Sequence, residues 1–322
     1  MRVEQSRGGS LTRLCSLSGY SRQAYYKQSI VKEEEPLQEE LIIQQVLDYR
    51  KLQPRLGGKK LHHLLKPFFV LHKIKMGRDK FLELLNEYGL QLAQRRRNKP
   101  RTTNSNHPMK KYDNLVKEWS PTASNQLWVS DIAYLQLADK DAFLSLVTDA
   151  WSRKIVGFHV SSSLKAEGCL KALEMAITCC SNTKGLIHHS DRGVQYCCMD
   201  YVSKLNKSEI KISMTQSGDP RDNAIAERVN GILKTELLEP VFTDLQAARS
   251  AVEKAINTYN YLRPHSSISM LAPALVHGKD LKVRRHWKNY YKKLQQPSVE
   301  NPLSTKTEPF LKEKKKQKKK TC

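Results

Sequence analysis

The rhythm of apolar and polar positions changes once along this chain. Up to about residue 94, apolar side chains recur at helical spacing. Residues 11–17 carry one such stripe, which ends at Gly19, and Ser21 then reads as the N-cap of a second helix. This is the outline of a helix-turn-helix, with Arg22, Gln23 and Tyr25 early in its second helix, where base or phosphate contacts arise. A small structural helix pair fits the segment equally well. Leu41, Ile42, Val46 and Leu47 make a further stripe that runs out near Gln53-Pro54. A basic glycine turn, Arg55-Leu56-Gly57-Gly58-Lys59-Lys60, opens another helix, and Gly77 to Leu90 holds a third, stopped by Gly89. Three short helices with basic turns fit a second helix-turn-helix module, with Lys59, Lys60 and Arg78 as candidate DNA contacts. His62, His63 and His72 lack any accompanying CxxC, so they read as surface or DNA-facing histidines, not zinc ligands.

Beyond residue 95 the pattern changes class. Arg95-Arg96-Arg97-Asn98-Lys99-Pro100-Arg101 begins a basic linker, flexible alone and suited to phosphates. Three strand-like runs follow at hairpin spacing, over residues 126–135, 142–149 and 154–160. A helix from about Lys165 to Cys180 comes next, with Leu170, Leu173, Ala176 and Ile177 on one face. Then come a strand at 185–193, a helix from about Tyr196 to Leu205, and a strand at 210–215. The last helix runs from about Asp244 to Tyr261 and breaks at Arg263-Pro264-His265. Antiparallel strands followed by strand–helix alternation predict an α/β fold: a ribonuclease H-like mixed five-stranded sheet with helices on both faces, preceded by small all-α helix-turn-helix modules. The expected domains are a helix-turn-helix segment at 1–35, a helical DNA-binding domain at 36–94, the basic linker at 95–120, a core at 121–280 and a basic extension at 281–322.

Composition narrows the partner. The chain has 322 residues and carries 55 Lys+Arg against 32 Asp+Glu, a formal net charge of +23. Such an excess points to a polyanion, and nucleic acid suits it better than a membrane surface. No run approaches the roughly 18–20 apolar residues that span a bilayer, and no secretory signal is evident at the start. The seven cysteines include two adjacent pairs and no CxxC, which reads as buried thiols in a reducing cytoplasm. The lysine run over 312–320 is disordered by composition and would add sequence-independent affinity for phosphate.

Three acids stand out against this background. Asp131 interrupts the apolar run Gln126-Leu127-Trp128-Val129-Ser130-Asp131-Ile132-Ala133-Tyr134-Leu135, and Asp191 ends the run Leu186-Ile187-His188-His189-Ser190. Glu227 lies in the first turns of a helix capped by Asp222-Asn223. A carboxylate in a buried strand is costly unless paired or bound to metal. Two such groups plus one on a helix suit Mg²⁺-dependent phosphoryl chemistry, in which two ions flank the reacting phosphorus. Asn223, Glu227, Asn230 and Lys234 fall on one polar helix stripe, fit to face DNA, although an ordinary surface helix explains that stripe as well.

Three blocks give these residues a family. Gln126-Leu127-Trp128-Val129-Ser130-Asp131-Ile132-Ala133-Tyr134 is the first, and His188-His189-Ser190-Asp191-Arg192-Gly193-Val194-Gln195-Tyr196 the second. Asp222-Asn223-Ala224-Ile225-Ala226-Glu227-Arg228-Val229-Asn230-Gly231-Ile232-Leu233-Lys234-Thr235-Glu236 is the third. Together they resemble the DDE catalytic core of insertion-sequence transposases and retroviral integrases, most closely the second-reading-frame transposase of the insertion-sequence-three type. The 35 residues between Asp191 and Glu227 (227 − 191 − 1) match that family's spacing, and Asn257-Thr258-Tyr259-Asn260 with Arg263-Pro264-His265 matches its core's end.

The resemblance implies that Asp131, Asp191 and Glu227 are catalytic metal ligands for two Mg²⁺ or Mn²⁺ ions, and that Lys234 contacts DNA beside them. It implies cleavage at the ends of a mobile element and attack of the freed 3′-hydroxyl on target DNA. Asp149, outside the blocks, is expected to be structural, and His189 and Ser190 to be packing or supporting residues. The implied partners are double-stranded DNA (terminal repeats and target), at least a second copy of the chain, and an upstream-frame segment fused to it, in a bacterial cytoplasm at the nucleoid and with no membrane. A catalytically idle, transposase-derived DNA-binding protein is the rival, and the intact acid triad favours the enzyme.

Overall fold

The computed structural model describes residues 11–19, 21–93, 107–117, 119–216, 223–279 and 281, with the backbone alone for 27–35. Arg95, Arg96, Arg97, Asp222 and the lysine run at 312–320 lie outside the described residues.

The N-terminal part is helical. Helix α1 (Leu11–Leu17) leads to α2 (Arg22–Leu52), whose first backbone N–H groups are met by the Ser21 hydroxyl, which accepts from Ala24 N at 3.0 Å. α2 runs without a break through Pro36, so the boundary expected between residues 35 and 36 falls inside one helix. Lys, Glu and Gln flank that proline, and these are good helix formers that continue past the loss of one hydrogen bond. α3 (Gly58–Leu71) and α4 (Arg78–Glu87) fold back on the end of α2. Ile42, Val46, Leu61, Leu65, Phe69, Phe81 and Leu85 form the core of this module. His62 is part of that packing, between the Phe69 and Phe81 rings with Nε2 3.1 Å from Met76 O, and does not face outward as expected.

Five strands build the central sheet: β1 (Leu127–Leu137), β2 (Asp141–Asp149), β3 (Ile155–Ser161), β4 (Ile187–Ser190) and β5 (Lys211–Met214). Their order is β3-β2-β1-β4-β5, antiparallel across the first three and parallel from β1 outward. A two-residue strand, β6 (Val241–Phe242), adds a sixth member by pairing with the far end of β1. Sequence periodicity does not reveal so short a strand, which exists only because its chain is delivered to that edge.

Helix α5 (Ala166–Thr178), the short α6 (Val194–Cys197) and α7 (Met199–Lys207) cover one face over Trp128, Val147 and Met214. The helix expected from 196 to 205 is therefore two helices, broken at Cys198. α8 (Ala224–Ile232) and α9 (Leu245–Asn257) cover the other face over Ala133, Leu135, Leu144 and Val160, and α10 (Pro273–Val276) follows. α8 and α9 each end in a π-helical segment, Leu233–Leu237 and Thr258–Leu262. At Gly157, a Cβ atom would lie 2.0 Å from Ala172 O, so glycine is what lets α5 lie this close to β3.

The end of the expected linker is fastened to the core: Met214 N donates to Asp113 O at 3.3 Å and Leu115 N to Ser213 Oγ at 2.9 Å. Among the described cysteines Cys15, Cys169 and Cys197 are buried as expected, whereas Cys179, at the end of α5, is exposed. No helix among the described residues is long and apolar enough to cross a membrane.

Candidate active site

Alternation along β1 decides where Asp131 points. Trp128 packs under α5 and α7, while Leu127 and Val129 join Ala226 of α8, and Ala133 and Leu135 continue on the α8–α9 face. Period two places Asp131 with that second set, as the one acid in an apolar row. Parallel pairing of Val129 with His189 brings Asp191, two residues on, level with Asp131 on the neighbouring strand and the same face. β4 ends at Ser190 and β6 begins to pair only at Gln136, leaving the β1 edge between them for α8.

Two asparagines fix α8 there. Asn223 donates through Nδ2 to Ser130 O at 2.9 Å, and Asn230 donates to Asp131 Oδ2 at 2.8 Å. Both residues are buried. They are not open to DNA as the stripe reading expected, and Asn223 makes no side-chain cap to its own helix. A polar residue that recurs seven positions on along a packed helix face was the signal for a tether to the sheet. Glu227 and Lys234, on the same stripe, are exposed.

The electrostatics record how close the acids are. Burial, then the charge of Asp191, pushes the Asp131 carboxyl up to about 7; Asn230 and the Ile132 N–H oppose this, and Glu227 adds to it. Asp191 accepts from Gly193 N at 3.0 Å, which holds its carboxylate over the turn after β4. Partial burial lowers the Lys234 ammonium, while Asp141 and then Asp131 raise it, so this cation feels the acidic site. Among the described residues, no three His, Cys, Asp or Glu side chains stand as a closed metal-ligating cluster. The acids are an open set, with Glu227 at the exposed start of α8.

The supporting residues are buried. His188 Nε2 lies 2.7 Å from Ser130 Oγ and 2.9 Å from Tyr201 OH, and burial pushes its imidazole down to about 3. His189 Nδ1 lies 2.9 Å from Ser213 Oγ, and Ser190 donates to Asp191 O at 3.0 Å. Asp149 faces away from this cluster: its carboxylate accepts from Ser152 N, Ser152 Oγ and Asn125 N at 2.7, 2.6 and 2.7 Å, stapling a turn.

The other residues singled out in the sequence scatter. Arg22, Gln23 and Lys59 are exposed near the starts of their helices, and Arg78 is paired with Asp79 at 2.8 Å. Lys60 instead turns inward, 3.5 Å from Glu236 Oε1. Glu236 also takes a two-pronged contact from Arg263, at 2.9 and 2.8 Å. Sequence reading did not find this link, because its members lie up to 203 residues apart (263 − 60).

An antiparallel three-strand meander continued by two parallel strands, with helices on both faces, defines the ribonuclease H-like class. Integrase core domain families match residues 121–220 and 208–273. An insertion element IS600 uncharacterized 31 kDa protein from Shigella sonnei is 32% identical over 271 residues, 83% of this chain and 98% of that protein. Transposase InsF for insertion sequence IS3A from Escherichia coli is 32% identical over 169 residues, 52% of this chain and 59% of InsF. The HTLV-2 integrase catalytic core domain has a TM-score of 0.40 at 19% identity, over 49% of this chain and 99% of that one. A chain in the structure of a simian T-cell lymphotropic virus intasome in complex with PP2A regulatory subunit B56 gamma has a TM-score of 0.44 at 17% identity, over 78% of this chain and 81% of that one. The chain belongs to the DDE transposases of insertion sequences, IS3 type, with a retroviral-integrase-like core, and is an enzyme of DNA transposition and integration.

Proposed function

We propose that Asp131, Asp191 and Glu227 are the catalytic acids of this transposase, cutting DNA at the element's ends and joining the freed 3′-hydroxyl to target DNA. The observation that carries this reading is the parallel register of β1 and β4, which aligns Asp131 with Asp191 on the face under α8. Burial, then the charges of Asp191 and Glu227, raise the Asp131 carboxyl, and a nearby cation would relieve both costs. An all-carboxylate oxygen set fits hard divalent cations, Mg²⁺ or Mn²⁺, and two ions would be shared among the three acids. When bound, such ions lower the pKa of water or a hydroxyl and stabilise charge at phosphorus.

The chain's own residues do the rest. Asn230 orients the Asp131 carboxylate, Asn223 fixes the helix that brings Glu227, and Lys234 neutralises a DNA phosphate beside the acids. Arg22, Gln23, Lys59 and Arg78 belong to helical modules that grip duplex DNA, the terminal repeat among it. Two ends must be joined, so the working form is at least a dimer on bacterial nucleoid DNA, with an upstream-frame segment as a further partner. The relatives' names do not favour an idle DNA-binding remnant.

The test is strand transfer by the full chain on a labelled duplex with the terminal repeat and Mg²⁺, beside Glu227→Gln. Nicking or joining lost in the variant supports the assignment. Wild-type rates in Glu227→Gln would remove Glu227 from the site.

A further inference from the structure

The helix that carries Glu227 has a second working face. Glu227 and Lys234 are on the Asp131 side, but Arg228 and Thr235, one residue further round each time, line a separate cleft of about 130 Å³. Lys60 from α3 closes it on one side, and Arg263, His265 and Ser266 close it on another. Arg228 and Ser266 are exposed at its rim, while the Arg263 side chain, 3% exposed, lies at its base.

The lining is short of negative charge. Three cations, Lys60, Arg228 and Arg263, face the single carboxylate of Glu236, a net of +2 (3 − 1). Glu236 is already engaged by both Arg263 nitrogens and by Lys60. His265 is 7% exposed, and its Nε2 is a buried atom with no hydrogen-bond partner. Its other ring nitrogen, Nδ1, lies 3.0 Å from Ser267 Oγ, which accepts from Arg153 Nε at 3.3 Å. A buried imidazole nitrogen without a partner is costly, and a small anion in the cleft satisfies it when Nε2 carries the proton.

We propose that this cleft is a phosphate-binding site, which holds one backbone phosphate of the DNA engaged by the other face of α8. The proposal rests on the DNA-joining reading above. Three features favour the DNA backbone over free phosphate: the open rim at Arg228, the helix shared with Glu227, and the +23 charge of the chain. The site also ties DNA to the helical module, because Lys60 belongs to α3 and Glu236 O accepts from Arg55 N at 3.3 Å.

The experiment uses the full chain, a labelled duplex and no divalent ion, with affinity measured over a range of salt. Arg228→Gln is compared with wild type and with Lys171→Gln, an exposed lysine on α5 beneath the opposite sheet face. Arg228→Gln should weaken binding about 3- to 10-fold and reduce the counterion-release slope by about 1, with Lys171→Gln unchanged. In parallel, the His265 ring-nitrogen signal in ¹⁵N-histidine spectra, assigned by its loss in His265→Gln, should move with DNA in wild type but not in Arg228→Gln. An unchanged slope in Arg228→Gln, or a His265 signal that DNA does not move, overturns the cleft while wild-type binding keeps the DNA reading. A signal moved by inorganic phosphate but not by DNA overturns the backbone as the source. Wild-type protein that binds no duplex overturns the DNA reading and this site with it.

Discussion

Asp131→Asn should make the metal-free protein more stable at neutral pH while removing its activity. In the unfolded chain this carboxyl titrates near 3.8, and in the fold it is pushed up to about 7. Below pH 3.8 both states hold the proton, and Asp131 costs nothing. Between those values the folded state keeps a proton that the unfolded chain has released, so stability falls as pH rises. Above pH 7 the whole cost is present. About three units at 1.36 kcal/mol each set a ceiling of roughly 4 kcal/mol. Asp131 keeps some solvent access, so about 1–2 kcal/mol is the expected effect. The asparagine oxygen can still accept from Asn230, so the charge is the main thing lost.

The assay is thermal unfolding in a chelator from pH 4 to 8. Asp131→Asn should match wild type near pH 4 and exceed it by roughly 2–6 °C at pH 8. Excess Mg²⁺ should then raise the wild-type midpoint more than the variant's. A variant no more stable than wild type at pH 8 would refute the claim that burial and the neighbouring charges disfavour the Asp131 carboxylate in the fold.

Three further perturbations probe the scaffold. Arg263→Met should cost about 3 kcal/mol by urea unfolding, since it leaves the Glu236 carboxylate only the longer Lys60 contact at 3.5 Å. Arg263→Met combined with Glu236→Gln should recover part of that loss, and strict additivity would mean the pair is not coupled. Asn230→Ala frees the Asp131 carboxylate, so Mg²⁺ binding by calorimetry should weaken about 10- to 100-fold with the fold intact; unaltered affinity would remove Asn230 from the site. Gly157→Ala should destabilise by about 2 kcal/mol or more, because its methyl meets the Ala172 carbonyl, and an unchanged midpoint would show that α5 moves away freely.

Much of the framework was legible from local pattern. The continuous apolar run around Asp131 marked both the strand and the anomaly within it. The α5 stripe predicted 165–180 and the structure has Ala166–Thr178, because one face of that helix had to be apolar. Ser21 and Asp244 cap their helices through their own side chains, as local chemistry allows. Where the reading failed, the deciding contact was distant. Asn223 and Asn230 fell on a polar stripe with Glu227, but the sheet edge they meet lies 93 and 99 residues away. Lys60 read as a surface cation until Glu236, 176 residues on, was folded against it.

The sequence by itself determined the element types, the change from helical module to mixed sheet, and the three acids proposed as the site. These follow from side-chain periodicity and from the cost of charge in an apolar strand, both local properties. Tertiary structure alone decided that Asp131 and Asp191 lie level on neighbouring strands, which asparagines tie α8 to the sheet, and which cations turn inward. Register between parallel strands and the docking of α8 bring together groups tens to hundreds of residues apart, and no local rule contains those distances.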